Sequence, residues 1–440
     1  MAMKVAPGTA AAEIIDDKLV VRKEADGSLT GEAIQSSDSR FSLGKVCLNT
    51  YLISLFWMWY DLCGKWALLP LTYAAGLLVP FPIDGWSYKT RMQVRAAVIL
   101  HLTVSSVPAV PLWCLFRGGR KAKAALIGYV LWYLFFDDGA EGGHRFSPAL
   151  RKRSFWRHFA SYFPMRLTRT TELDPAGRYI FGYHPHGVIS LGALTNFATD
   201  ATGFSHLFPG IDVRLMTLAV NFRIPLLREY LMRLGIQSAS RRSCELNLSR
   251  GGGSAIMLVI GGARESLEAG PGQASLVLAS RKGFVKIAIR CGASLVPVFS
   301  FGENDVFGVY EATGWLRKKQ VAFQKRMGFA MPLFFGRALT GGLLHKLFGL
   351  NVGVMPLRVP VHSVVGRPIA VQQCDSPSQE EIDRVHSLYM EELLRIHIEW
   401  RERCAEDLKA ALTHGDARRL KVLCNEKFQL EHDAPTLEYL

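Results

Sequence analysis

At 440 residues the chain can bury a large core, as one domain with additions or as two. Hydrophobic residues make up 49% of it and mean hydropathy is positive, values high for a soluble enzyme that point to contact of part of the chain with lipid. A formal net charge of +14 favours an anionic partner, but no zinc-finger spacing, RNA-binding aromatic motif or basic repeat supports nucleic acid.

Residues 1–44 mix small residues with both charge signs and read as a disordered tail, without the apolar core and cleavage site of a signal peptide. From Val46 to Phe81 the chain turns strongly apolar, broken by Asp61 and Lys65. A second run, Ala96–Phe116, carries no formal charge for about 21 residues, enough to cross a bilayer core. Pro108 and Pro111 interrupt it, as in a kink or a re-entrant segment. Basic residues flank it on both sides, Lys89, Arg91 and Arg95 before and Arg117, Arg120, Lys121 and Lys123 after, which conflicts with a simple two-span arrangement. One membrane-embedded helical hairpin within 45–136 is the expectation, against the alternative of a buried pair of core helices. A shorter run, Ala124–Phe136, suits the membrane interface, and 137–145 has the composition of a loop.

An α/β core is expected over roughly 165–370, within a domain spanning 137–412 and followed by a tail, 413–440. Strands are expected at Arg178–Phe181, Ala255–Ile260, Ser294–Phe301 and Ser363–Val365, with helices at Pro225–Leu234 and Gly283–Cys291. Ser378 and Glu381 have capping-box spacing ahead of a helix whose packed face carries Ile382, Val385, Leu388, Tyr389, Leu393 and Ile396. Eight cysteines without a Cys-x-x-Cys pair argue against a zinc site and a disulfide framework, and for a reducing compartment.

Chemistry concentrates at His184-Pro185-His186-Gly187, a turn at the carboxyl end of a strand. A histidine there can take and return a proton at neutral pH, while His-x-His is equally a metal half-site or a polar turn. Gly261-Gly262-Ala263-Arg264-Glu265 ends an apolar strand in glycines that let backbone approach a ligand, and Glu265 can orient a histidine. Arg281, Lys282 and Lys286 surround Phe284 and suit the phosphates of an acidic cofactor, or simply a solvated helix start. Glu303 and Asp305 are candidates for a metal half-site, without a supporting cluster, and Arg337 is a candidate anion contact. Gly252-Gly253-Ser254-Ala255-Ile256 fails the nucleophile elbow at its last position, and no Walker loop, dinucleotide fingerprint or His-Glu-x-x-His helix is present.

Taken in order, these blocks resemble the type 2 diacylglycerol acyltransferase family, which includes monoacylglycerol and wax-alcohol acyltransferases. The resemblance covers about 145–400 and rests on Tyr162-Phe163-Pro164, the His184–Gly187 turn with its continuation to Ala193, and Arg228–Met232. It extends through Gly261–Glu265, Arg281–Lys286, Val296–Asn304 and Val364–Ile369. It implies an acyltransferase-like α/β core, placed in the endoplasmic-reticulum membrane with its bulk facing the cytosol and visiting lipid droplets. The implied reaction moves a fatty acyl group from acyl-CoA, as substrate, to diacylglycerol, or alternatively to monoacylglycerol or a long-chain alcohol, with no cofactor and no metal. Some members carry Glu-Pro-His-Ser at the turn, which assigns the base to His186 and support to His184. Leu191 stands five residues after His186, so the His–Asp dyad of glycerol-phosphate acyltransferases is absent and Glu265 is the nominee for the orienting acid. Gly187, Gly262 and Arg264 are the expected oxyanion donors, and Arg281, Lys282 and Lys286 the acyl-CoA contacts. Diacylglycerol and membrane lipid are expected partners, nucleic acid is not, and a homo-oligomer stays open. The rival of another class is a non-catalytic lipid-droplet anchor, and a third reading is a metal-dependent lipid hydrolase using His184, His186 and Glu303.

Overall fold

The computed structural model describes residues 12–14, 19–23, 29–33, 88–106, 109–143, 145–267, 269–272, 276–310, 314–330, 332–336 and 355–411. The first apolar run, Arg337 and the segment 413–440 lie outside the described residues.

Ten strands form one mixed sheet. In chain order they are β1 (Ala12–Ile14), β2 (Leu19–Lys23), β3 (Leu29–Ala33), β4 (Arg166–Arg169), β5 (Tyr179–His184), β6 (Asp212–Thr217), β7 (Gln237–Ser238), β8 (Ser254–Val259), β9 (Ser294–Phe301) and, last, β12 (His362–Val365). Between the last two, β10 (Gly308–Val309) and β11 (Phe334–Phe335) make a separate two-stranded ribbon. The spatial order is β1-β2-β3-β4-β12-β9-β5-β8-β6-β7. From β9 to β7 every pair is parallel, whereas β12 runs antiparallel to β9.

The parallel strands are apolar on both faces, as expected of a sheet covered on both sides. On β5, Phe181 and Tyr183 pack with Phe197, Phe204 and Phe208 on one face, while Ile180 faces Ile256, Leu295 and Ile289 on the other. The second layer is closed by the helices Gly283–Cys291 and Gln379–Ala411. Ser378 Oγ accepts the Glu381 main-chain N–H at 3.2 Å, so the capping signal read from the sequence starts the second of these helices. Ile382, Val385, Tyr389, Leu393 and Ile396 are buried on its inner face, but Leu388 is 38% exposed and departs from the expected stripe.

A further difference concerns the N-terminal third. Within 1–44, where composition gives a disordered tail, β1, β2 and β3 hydrogen-bond in antiparallel order onto β4. Main-chain pairing at an open sheet edge needs few large apolar residues, which is why composition hid it. The second apolar run falls on two helices, Tyr88–Ser106 and Ala109–Arg117. No helix among the described residues is long and apolar enough to cross a membrane. The next helix, Arg120–Phe135, is tied to the core by Tyr129, whose hydroxyl donates to Glu229 at 2.7 Å. Arg145 reinforces the junction by pairing with Asp137 at 2.7 Å and Glu229 at 2.9 Å, and Asp137 also pairs with the buried Arg228.

Candidate active site

His184 closes β5 and His186 lies two residues beyond it, at the carboxyl edge of the parallel strands. The two rings have different surroundings. His184 is fully buried, with Nε2 2.9 Å from the hydroxyl of Tyr389, and Tyr389 donates to the Gly182 carbonyl at 3.1 Å. His184 Nε2–H therefore donates to Tyr389, and Nδ1 is left buried without a partner. Burial pushes its pKa down to about 3, so the ring is neutral under any physiological condition.

His186 is half-buried. Its Nδ1 lies 2.9 Å from the Gly187 carbonyl oxygen, which can only accept, so the proton resides on Nδ1 and Nε2 presents a lone pair. Among the described residues no hydrogen bond occupies Nε2. Burial lowers the pKa of the ring and the bond to Gly187 partly offsets it, which keeps the basic form populated at neutral pH. The turn is shaped by Gly187, at φ +62°, and by Ser190, whose Oγ donates to the His186 carbonyl at 2.7 Å.

Glu265, from the single helical turn Gly262–Glu265 after β8, is brought to this loop, but not to the ring. Its Oε1 accepts the main-chain N–H of His186 at 2.5 Å and its Oε2 accepts that of Val277 at 2.9 Å. Burial raises its pKa, and the two main-chain donors pull it back. The expected contact with the imidazole is thus replaced by a clamp on the backbone that carries it. A methyl group at position 261 would overlap the Glu265 carboxylate, so the first glycine of the pair makes room for that clamp. Gly262, at φ +63°, has open space where a side chain would stand, and Arg264 is exposed beside it.

Of the expected cations, Arg281 comes nearest this group through its Nη2, 3.4 Å from the Gly261 carbonyl. Lys286 is exposed, while Lys282 pairs with Asp383 at 2.6 Å. Glu303 and Asp305 do not form a joint site: Glu303 takes donors from Tyr183 and Gly192, and Asp305 accepts the Gly272 N–H at 2.8 Å. No group of three or more His, Cys, Asp or Glu among the described residues is placed to hold a metal ion. A cavity of about 510 Å³ opens beyond β6 and β7, lined by Phe135, Phe136, Phe222, Arg223, Arg228 and Ser238.

Tyr389 and Tyr183 escaped the sequence reading. Both stand at apolar-face positions of regular elements, and only their hydroxyls distinguish them from packing residues.

These features define a class: an α/β domain that presents a proton-accepting histidine at the carboxyl edge of its parallel strands. The family profile described as diacylglycerol acyltransferase matches residues 121–412, more than half of the chain. Over 342 residues the chain is 43% identical to "Diacylglycerol O-acyltransferase 2B" of Umbelopsis ramanniana, covering 74% of this chain and 92% of the relative. It is 48% identical over 271 residues to "2-acylglycerol O-acyltransferase 1" of Bos taurus, covering 61% and 78%. It is 45% identical over 272 residues to "Diacylglycerol O-acyltransferase 2" of Homo sapiens, covering 61% and 68%. No solved structure matches. The chain belongs to the diacylglycerol acyltransferase family.

Proposed function

We propose that the chain is an acyl-CoA:diacylglycerol O-acyltransferase that makes triacylglycerol by direct transfer, with His186 as general base. The observation that carries the mechanism is the Nδ1–Gly187 bond, which leaves Nε2 as the basic nitrogen. The acceptor hydroxyl oxygen attacks the thioester carbonyl carbon and its proton passes to Nε2. The new C–O bond forms, the C–S bond breaks, and the imidazolium returns the proton to the CoA thiolate. Triacylglycerol and CoA leave, and no acyl-enzyme forms. Main-chain N–H groups at Gly187 or Gly262, or the Arg264 side chain, stabilise the oxyanion. His184 supports the strand end and Glu265 holds the His186 backbone. Arg281 and Lys286 hold CoA phosphates, and Lys282 joins them by exchanging its contact with Asp383.

The enzyme works at the endoplasmic-reticulum membrane, with its bulk facing the cytosol, and also at lipid droplets. The apolar hairpin within 45–136 is the membrane element. Exposed Phe116, Phe135 and Phe136 support that placement, and the two phenylalanines at 135 and 136 also line the cavity beyond β6 and β7.

Membranes containing the full chain, given labelled acyl-CoA, should label triacylglycerol when diacylglycerol is supplied. A second acceptor is favoured by the 48% identity to a relative named as a 2-acylglycerol acyltransferase, so monoacylglycerol and a long-chain alcohol are assayed beside it. Label appearing only in diacylglycerol or in wax ester would overturn the assignment of acceptor. His186→Ala should lose acylation at least ~100-fold at unchanged protein level and membrane association. Near-normal turnover would sink the base.

A further inference from the structure

A second buried carboxylate lies under the His186 loop. Glu303, in the turn after β9, is 3% exposed, and its Oε2 accepts both the Tyr183 hydroxyl at 2.7 Å and the Gly192 N–H at 2.9 Å. No basic side chain pairs with it among the described residues, so its charge is held by neutral donors alone. The loop is moulded on it: a Cβ at Gly187 would stand 2.9 Å from Glu303 Cγ, and one at Gly192 would overlap the carboxylate. Behind it, the Tyr183 hydroxyl lies 3.5 Å from Ser363 Oγ, which also meets Ser300 Oγ at 2.9 Å and the Asn196 amide at 2.8 Å.

We infer that Glu303 is a positioning residue for His186, fixing the 187–192 loop through Gly192 and Tyr183 so that the Nδ1–Gly187 bond keeps Nε2 turned to the substrate. The inference rests on the reading of His186 as base. Isolated burial of a carboxylate is costly, and the donors that offset it come from the strand before the loop and from the helix after it. Glu265 secures the loop at its start and Glu303 at its end.

Protonation would remove one acceptor position and loosen the loop. Burial raises the Glu303 pKa to about 7, so this form becomes populated just below neutrality. The groups facing the carboxylate are the Tyr183 hydroxyl from β5, kept neutral by burial, and the main-chain N–H groups of Gly192 and Leu191, while the Ser300 and Ser363 hydroxyls from β9 and β12 stand behind Tyr183. His186 is the titratable group of the loop itself, and its pKa is lowered. Turnover should therefore decline as pH falls through about 7, through Glu303 rather than through a cationic partner.

The test measures acylation by membranes containing the full chain, as pH profiles and as separate kcat and acyl-CoA KM values. Glu303→Gln should lower kcat roughly ten- to hundredfold with KM within about twofold, and should flatten the acid limb. In a His186→Ala background the same change should cost nothing further, because the group it positions is gone. An equal loss in both backgrounds would mean a general structural role and overturns the inference. Should Glu303→Gln fail to accumulate, Tyr183→Phe decides: it removes one donor to the carboxylate and should move the acid limb to higher pH, and an unchanged profile overturns the inference. A strong His186→Ala defect beside wild-type kinetics of Glu303→Gln defeats the inference alone, whereas normal turnover of His186→Ala defeats the base and the inference together.

Discussion

Glu265→Gln separates a clamp on the backbone from a partner of the ring. In the wild type two carboxylate oxygens accept two main-chain N–H groups, from His186 at 2.5 Å and Val277 at 2.9 Å. Glutamine is nearly the same size but offers one oxygen and one NH₂, so whichever way it turns, one donor faces another donor. Charge-assisted bonds contribute about 1.5–3 kcal/mol each and a neutral one about 0.5–1.5 kcal/mol. Relief from burying the charge offsets part of the loss, leaving a net destabilisation on the order of 1–2 kcal/mol. The larger effect is on geometry: one of the two main-chain anchors of the clamp is lost, and a displacement of about 1 Å at the proposed base costs on the order of 100-fold in rate. The assay is acylation by membranes at saturating acyl-CoA across pH, with protein level measured in parallel. A backbone clamp gives a fall in kcat at every pH with little movement of the acid limb. If kcat stays within about threefold the clamp reading fails, and a limb moved by more than about one pH unit at full turnover would show that the carboxylate acts on the ring instead.

Tyr389→Phe keeps the ring packed on Phe284 but removes the hydroxyl shared by His184 and Gly182, and should cost about 1–3 kcal/mol of stability in a denaturant titration. His184 adds a pH dependence of defined sign. Its folded pKa of about 3 lies below the ordinary value of 6.5, so below pH 6.5 the unfolded chain binds a proton that the folded chain refuses. Stability should therefore fall as pH drops from about 6.5 towards 3, and His184→Gln should reduce that slope, as read from melting temperatures across pH. Arg281→Ala should raise the acyl-CoA KM on the order of fivefold, for about 1 kcal/mol of charge-assisted contact. Lys282→Ala should change it less, because Asp383 already engages that ammonium at 2.6 Å, and the reverse order would refute the assignment.

What the sequence disclosed follows from locality. β8 and β9 are mostly apolar runs between turn residues, and Gly283–Cys291 and the Ser378 cap are complete within their own stretches. The histidine turn is legible for the same reason. The partners of its groups are not, because they come from far along the chain: Tyr389 reaches His184 from 205 residues away and Glu303 reaches Tyr183 from 120. Glu265 lies beside His186, yet a motif does not say whether a carboxylate meets a side chain or the backbone beneath it. Glu303 looked like half of a metal site because, in one dimension, its nearest acidic neighbour is Asp305, and in space the two have different partners. The strands β1 to β3 were hidden because their order comes from main-chain pairing at a sheet edge.

The Tyr389–His184 contact also sets an order of events during synthesis. Strand β5 and its histidine emerge from the ribosome long before the helix that begins at Gln379. Until that helix docks, the His184 ring and the Gly182 carbonyl lack the hydroxyl they share, and the inner apolar face beside them is uncovered. The end of β5 therefore gains its full set of contacts only when nearly the whole chain has been made. A ribosome stalled before codon 389 would carry the proposed base His186 while the neighbouring His184 ring still lacked its side-chain partner.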